Sequence, residues 1–304
     1  MTMKFRTDKI ASRFLGKQIS GSELYDSSLL VPIPRAENRQ QYNIDSANLP
    51  FDGCDVWHAY EFSALTNNGL PVTRLIKLKY SCESEFLVES KSLKLYFNSF
   101  NMSRFGDSIA ECLSVCKRII ETDLSNALKT NVQINFIEND SERVEIFNNF
   151  ENILNFVDET SLKIEKFSEA PELLFCNTCN ELKTHYLTFD SLRSNCRVTH
   201  QPDFGEIFIY YKSDKHIDEA SLIKYLCSFR SEYHFHEECC EMIYKRLYDL
   251  LKIDENKDEL FVCILYTRRG GIDICPVRYS KNCAVLDSEI LCDVFKYARK
   301  SIRQ

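Results

Sequence analysis

The chain has no excess of positive charge. Its 304 residues carry 38 Lys and Arg against 45 Asp and Glu, a formal net charge of −7 with a pI near 5.5. Nothing in that balance suggests the broad basic surface that direct nucleic-acid binding uses, and a small-molecule partner is the expectation. No window approaches eighteen apolar residues, so no membrane-spanning helix is expected. Met1 to Arg6 leads into no apolar run, and the fourteen cysteines are scattered through helical and strand-like patterns. They do not read as a small secreted disulfide framework; the expectation is a cytoplasmic protein with reduced thiols. No GxGxxG follows a strand, which removes support for a Rossmann cofactor site. What is present is an ordinary 44% hydrophobic content, enough for one large core or two modest ones.

The first fifty residues read as an irregular segment wrapping a surface, with Pro32, Pro34 and Pro50 among many Asn, Gln and Ser. Beyond Pro71, residues 72–80 and 92–97 are β-prone runs on either side of Glu89-Ser90-Lys91. After Gly106-Asp107, the positions Ile109, Cys112, Leu113, Cys116, Ile119 and Ile120 follow helical spacing, with Asp107 or Ser108 as N-cap. Val132, Ile134 and Phe136 then alternate as a strand. The second half loosely repeats the order: 195–199 and 206–211 as strands, then helices through Leu222, Leu226 and Phe229 and through Ile243, Leu247 and Leu251. Residues 260–266 and 272–277 close it as strands around a Gly270-Gly271 turn. Two hairpin-plus-helices modules in tandem fit this α+β order. They divide the chain into an irregular segment 1–50 and modules 51–165 and 166–304, with the polar stretch 139–166 as divider.

Several motifs compete for the chemistry. Cys196 sits in Ser194-Asn195-Cys196-Arg197-Val198-Thr199-His200-Gln201-Pro202-Asp203. A nucleophilic thiol needs a nearby cation or base and an acid partner, and Asp203, His200 and His236 are candidates. A buried strand cysteine is the competing reading. Phe235-His236-Glu237-Glu238 falls between two amphipathic helices, where side chains reach a cleft, although acids there also complement a helix dipole. Cys176-Asn177-Thr178-Cys179 is a CxxC, the commonest half of a zinc site, for which His185 and Cys196 are the candidate third and fourth ligands. No second CxxC or HxxxH follows, and packing cysteines are the better reading. Residues 89–96 set a carboxylate, hydroxyls and two lysines in one strand-like segment, where Lys91 and Lys94 fall on opposite faces. Thr267-Arg268-Arg269-Gly270-Gly271 adds a basic turn whose glycines let a phosphate approach the backbone.

Taken in order, residues 89–96, Ser194-Asn195-Cys196 with His200-Gln201-Pro202-Asp203, Phe235-His236-Glu237 and residues 266–273 resemble the NADPH-dependent 7-cyano-7-deazaguanine reductases of queuosine biosynthesis. The resemblance is to their long two-module form and covers most of the chain. Leu15-Gly16-Lys17 through Tyr25-Asp26, and Val31-Pro32-Ile33-Pro34-Arg35, are similar to it as well. Cys275-Pro276-Val277 departs from the asparagine and bulky aromatic often found around that proline.

The resemblance implies tandem tunnelling-fold modules, antiparallel sheets with helices packed on one face, related to GTP cyclohydrolase folds but without their zinc. It implies reduction of the nitrile of 7-cyano-7-deazaguanine to the primary amine by two NADPH acting in turn. Cys196 would form a covalent thioimide, Asp203 would be the proton donor, and His236 would assist later proton transfer. Val88, Glu89, Ser90, Phe235, His236 and Glu237 would bind substrate; Ser90, Lys91, Ser92, Arg269 and Gly270 would bind NADPH, with Lys94 and Arg268 as helpers and no metal. Because the nucleophile and the cofactor segment lie in different modules, the site should form where modules or subunits meet, and a homodimer is expected. The competing classes are a non-catalytic tunnelling-fold binder of a purine or pterin-type ligand and a zinc-dependent cyclohydrolase. A mere binder needs neither Cys196 nor Asp203.

Overall fold

A computed structural model describes residues 24–138, 143–283 and 285–299. The Leu15-Gly16-Lys17 similarity lies outside them. In chain order the regular elements are β1 (Pro32–Pro34), α1 (Ala36–Gln41), β2 (Asp52–Leu65), β3 (Pro71–Ser81), β4 (Phe86–Val88), α2 (Ser90–Asn98), α3 (Ile109–Leu128) and β5 (Val132–Ile137). The short β6 (Arg143–Glu145) and β7 (Glu151–Asn152) precede the long hairpin β8 (Cys176–Cys196) and β9 (Pro202–Ile217). There follow α4 (Glu219–Ser228), β10 (Tyr233–His234), α5 (His236–Leu251), β11 (Glu259–Tyr266), β12 (Ile272–Tyr279), α6 (Leu286–Cys292) and β13 (Tyr297–Arg299). Among the described residues no helix is long and apolar enough to cross a membrane.

The architecture is α+β. One sheet runs β10-β8-β9-β11-β12-β2-β3-β5, with β7 beside β8, and its long pairings are antiparallel. Each half contributes a hairpin followed by two helices and a return strand: β2–β3, α2, α3, β5, and then β8–β9, α4, α5, β11. The halves join where β12 pairs with β2, Ile274 opposite Trp57 and Pro276 opposite Asp55. Strand side chains alternate between faces. On one face Ile207, Ile209, Val262 and Ile264 pack under α4 and α5, and Trp57, Ile76, Leu78 and Ile134 pack under α2 and α3. On the other, Val56, Phe208, Phe261 and Val277 meet Phe147, Val285 and Leu291.

The helices start where local donors are capped. Ser108 accepts from the Glu111 amide at 3.1 Å to open α3, and Asp218 accepts from the Ser221 amide at 2.7 Å to open α4. Both α3 and α5 end on a lysine in the left-handed region, Lys129 (φ 56°) and Lys252 (φ 51°).

Four expectations need correction. Residues 92–97 are not a strand but part of α2: the Glu89 carboxylate accepts from the Ser92 amide at 2.6 Å, and Leu93, Tyr96 and Phe97 fall on one buried stripe. The strand expected over 195–199 stops at Cys196, because the next residues turn back and His200 takes φ 58°. The first fifty residues are not wholly irregular, since Ile33 of β1 pairs with Leu87 of β4 and α1 follows. Nor are all thiols reduced: Cys54 on β2 and Cys292 at the end of α6 form a disulfide, and twelve cysteines are free.

Candidate active site

The cleft opens on the helix-bearing face, at the seam between the two helix pairs. Three local structures deliver its residues. The β8–β9 turn is closed by the Cys196 amide donating to Gln201 O (2.8 Å) and the His200 amide donating to Cys196 O (2.9 Å). With Ser194 opposite Asp203 in the ladder, Cys196 and Asp203 reach the same end of the hairpin. Beside it β10 runs parallel to β8 with His234 opposite Cys196, so Phe235, His236 and Glu237 start α5 next to the thiol. The third structure is the start of α2, held by the Glu89 cap. Together with β12 they enclose a cavity of about 380 Å³, within the range of small-molecule sites.

Cys196 is buried, at 8% exposure, and its Sγ receives two donors: Lys91 Nζ at 3.7 Å and the Thr199 amide at 3.5 Å. A cation and a backbone N–H are thus both directed at this one sulfur. Asp203 lies 3.4 Å from His236 Nε2 and is paired with Arg269. Burial pushes its carboxyl up, but the contacts with His236 and Arg269 outweigh burial and hold it below the usual carboxylate range. His236 is stacked on Tyr266 with centroids 3.8 Å apart.

Two further carboxylates are buried without full satisfaction. Glu237 Oε1 and Glu89 Oε1 have no hydrogen-bond partner among the described residues, although Lys91 Nζ is 3.9 Å from the latter. Burial and then the charge of Asp55, countered by Arg35, push the Glu237 carboxyl up to about 8; burial also raises Glu89, against the pull of Lys91. Behind Glu237, Arg278 spans Asp55 (2.8 Å) and Glu241 (2.9 Å), Arg39 reaches Glu241 at 2.7 Å, and Arg35 pairs with Asp55. These ions are nearly or wholly buried, so each depends on its partners. Arg197 forms a second buried pair with Glu238 at 3.0 Å, under the β8–β9 turn.

Cations stand at the rim. Lys94 Nζ donates to Gly270 O at 2.6 Å, and Arg269 donates to Gln201 Oε1 at 2.6 Å. Lys91, Lys94 and Arg269 are each about one-third exposed. Gly270 takes φ 57°, and a Cβ there would come 3.3 Å from Lys94 Nζ, so glycine keeps this rim open.

Of the residues singled out from the sequence, Val88, Ser90, Lys91, Cys196, Asp203, Phe235, His236, Glu237, Arg269 and Gly270 line the cavity. Glu89 is buried at its edge as the α2 cap. Ser92 turns away: its hydroxyl donates to Glu89 O (2.7 Å), accepts from the Val31 amide (3.1 Å) and is fully buried. Lys91 and Lys94, expected on opposite strand faces, share a side of α2 because they are three residues apart on a helix. Arg268 lies over the Tyr60 ring at 4.4 Å, and His200 sits against Tyr233. The zinc set does not assemble. Among the described residues the one trio of His, Cys, Asp or Glu ligand atoms within 4.8 Å is His58, Asp273 and Cys275, on the opposite sheet face; His185 stacks instead on Tyr211. Sequence reasoning passed over Trp57, Gln201 and the Arg35–Asp55–Arg278–Glu241 network. The signal for the last was there, in charges placed inside the apolar runs around Asp55 and Arg278.

A buried cysteine, an acid–imidazole pair and a buried carboxylate with an unsatisfied oxygen line one cavity with cations at its mouth, a set of groups typical of an enzyme site. Comparison with known proteins agrees in kind. Residues 22–136 match the family model described as nitrile reductase, 7-cyano-7-deazaguanine-reductase N-term, and residues 202–284 match that of QueF-like protein. A protein of Legionella pneumophila (strain Corby) named NADPH-dependent 7-cyano-7-deazaguanine reductase is 38% identical over 271 residues, 89% of this chain and 90% of the relative. Proteins of the same name from Colwellia psychrerythraea (36% identical; 88% of this chain, 91% of the relative) and Rickettsia felis (36%; 92% and 97%) match likewise. The chain belongs to the NADPH-dependent 7-cyano-7-deazaguanine reductase family.

Proposed function

We propose that this chain reduces the nitrile of 7-cyano-7-deazaguanine to the primary amine of 7-aminomethyl-7-deazaguanine with NADPH, in the biosynthesis of queuosine, through a covalent thioimide on Cys196. The observation that carries this reading is the pair of donors on Cys196 Sγ, inside a cavity that also presents Asp203 and the unsatisfied Glu237.

The proton inventory follows from Asp203. Held ionised between His236 and Arg269, it is a base in the free enzyme and becomes an acid only after it has been loaded. It takes the Cys196 proton as sulfur adds to the nitrile carbon, one π bond of C≡N breaks, and the same proton passes to the nitrogen. The sum is one new C–S bond and one new N–H, with no external acid. His236, on Asp203 and stacked on Tyr266, is placed to pass the protons that must accompany later reduction. A guanine-type ring has adjacent N–H donors, and the buried Glu89 and Glu237 oxygens are acceptors without partners; Phe235 offers a ring face, and Val88 and Ser90 complete this wall.

The rim suits NADPH. Lys91, Lys94 and Arg269 with Ser90 and Gly270 match a pyrophosphate and a 2′-phosphate, while a cavity of about 380 Å³ holds a heterocycle and leaves the adenosine end outside. When bound it supplies hydride, two equivalents per nitrile. Ser92 is left out of this set because its hydroxyl is already spent within the α2 cap.

The repeated hairpin–helices–strand order supports two tunnelling-fold modules, 51–165 and 166–304, after the segment 1–50. The site lies between these halves within one chain, so a second copy need supply no residue. A homodimer is proposed on other grounds: among the described residues β5 has β3 as its sole neighbour in the sheet, which leaves an edge able to meet another copy. A cytoplasmic location fits the net charge and the twelve free thiols.

The test is to add 7-cyano-7-deazaguanine and NADPH and follow the reduced cofactor by absorbance. Two equivalents consumed per nitrile support the reading, and no turnover by the intact protein sinks it. A Cys196→Ala variant should bind the nitrile yet give no mass increment.

A further inference from the structure

The floor of the cleft holds one polar group that the mechanism leaves idle. Trp57, the single tryptophan of the chain, projects from β2 on the helix-bearing face, lines the cavity and is 2% exposed. Its Nε1 is buried and has no hydrogen-bond partner among the described residues. An indole N–H can donate and cannot accept, and a buried one ordinarily finds an acceptor because leaving water without replacement costs free energy. A leucine or phenylalanine would fill this floor between Ile272 and Ile274 without that cost. The same cavity is lined by Glu237, one of whose oxygens is likewise buried without a partner among the described residues.

We infer that Trp57 is a specificity residue for the nitrile substrate, its indole N–H donating to a ring acceptor of the heterocycle whose N–H groups Glu89 and Glu237 accept. The inference rests on the reductase reading above. A guanine-type ring presents donors at N1 and the exocyclic amine and acceptors at the carbonyl oxygen and N3. Ionised against the ring N–H groups, with Glu237 giving up, on binding, the proton it carries in the ligand-free protein, the two carboxylates match only the donors. The indole N–H supplies the missing polarity, and no rotation or tautomer reverses it, unlike an amide or imidazole. A ring with an amine in place of the carbonyl would set N–H against N–H and leave both unsatisfied, which is how polar sites reject near-isosteres.

The test is Trp57→Phe, which keeps an aromatic floor and deletes the donor. KM for 7-cyano-7-deazaguanine should rise about tenfold, equivalent to about 1.4 kcal/mol, while kcat and the KM for NADPH stay within twofold and the ligand-free protein melts no lower. A nitrile KM within twofold of wild type overturns the inference, and so does a KM rise shared equally by NADPH with a lower melting temperature, the mark of a structural role. A second measurement guards against a poorly folding variant. In the Cys196→Ala protein Trp57 is the one indole fluorophore, and its emission should respond saturably to the heterocycle and not to NADPH; no response overturns the inference. Failure of the wild type to oxidise NADPH with the nitrile is a separate result that removes the reductase reading and this inference together.

Discussion

Glu237 should make the ligand-free protein lose stability as pH rises, and replacing it by glutamine should abolish that loss. The native carboxyl keeps its proton up to about 8, whereas an unfolded glutamate releases it near 4.5. Between those values the native state holds the extra proton, so unfolding releases one and stability falls with rising pH. The contribution is fully present below 4.5 and lost as pH passes 8. At about 1.4 kcal/mol per pH unit over a window of some three units, the loss comes to several kcal/mol, or roughly 5–10 °C in melting temperature for a chain of this size. Glu237→Gln keeps the shape and cannot ionise. Melting curves for both proteins from pH 5 to pH 9, without ligand, should therefore agree at the acid end and diverge at the alkaline end, the variant melting higher. His234, raised by Glu232 and Glu238 against its burial, and Lys77, lowered to about 8 by burial, also make stability depend on pH. Both are common to the two proteins and cancel in the difference. Parallel curves across the whole range would refute the claim that a buried, protonated Glu237 faces the cleft.

Asp203→Asn leaves Arg269 and His236 without their anion and the Cys196 proton without an acceptor. Adduct formation, followed by mass spectrometry at timed intervals, should slow by about a hundredfold or more, and a rate within threefold of wild type would count against the proton route drawn above. Arg278→Leu should destabilise by about 3–5 kcal/mol in urea melts, because Asp55 and Glu241 stay buried with their shared guanidinium gone. A loss below 1 kcal/mol would mean that Arg35 and Arg39 suffice for both acids.

Much of this organisation was legible in the chain. Helical spacing from Ile109 and alternation at Val132, Ile134 and Phe136 located α3 and β5, because each element buries one face and the apolar period records it. Residues 92–97 misled because Leu93, Leu95 and Phe97 also satisfy a period of two. Over so short a run the deciding facts were non-local: the Glu89 cap and the burial of Tyr96 and Phe97 against Phe62 and Phe100. The cleft was legible as four separate motifs. That the first half meets the second through one shared sheet was not, since nothing local to β2 names β12 as its neighbour. The Cys54–Cys292 disulfide is another such case, with 238 residues between partners.

The pairing of β2 with β12 also sets a timetable for the newborn chain. Ala59 finds its neighbour Ile272 only after more than two hundred further residues have been made, which at roughly 5–20 residues per second is about ten to forty seconds of synthesis. Throughout that interval the edge of β2 that will meet β12, with its row of backbone N–H and C=O groups, has no partner strand of its own chain. A ribosome-associated holdase, or a pause that lets α2 and α3 cover the first hairpin, would matter more to the yield of this protein than to its final stability.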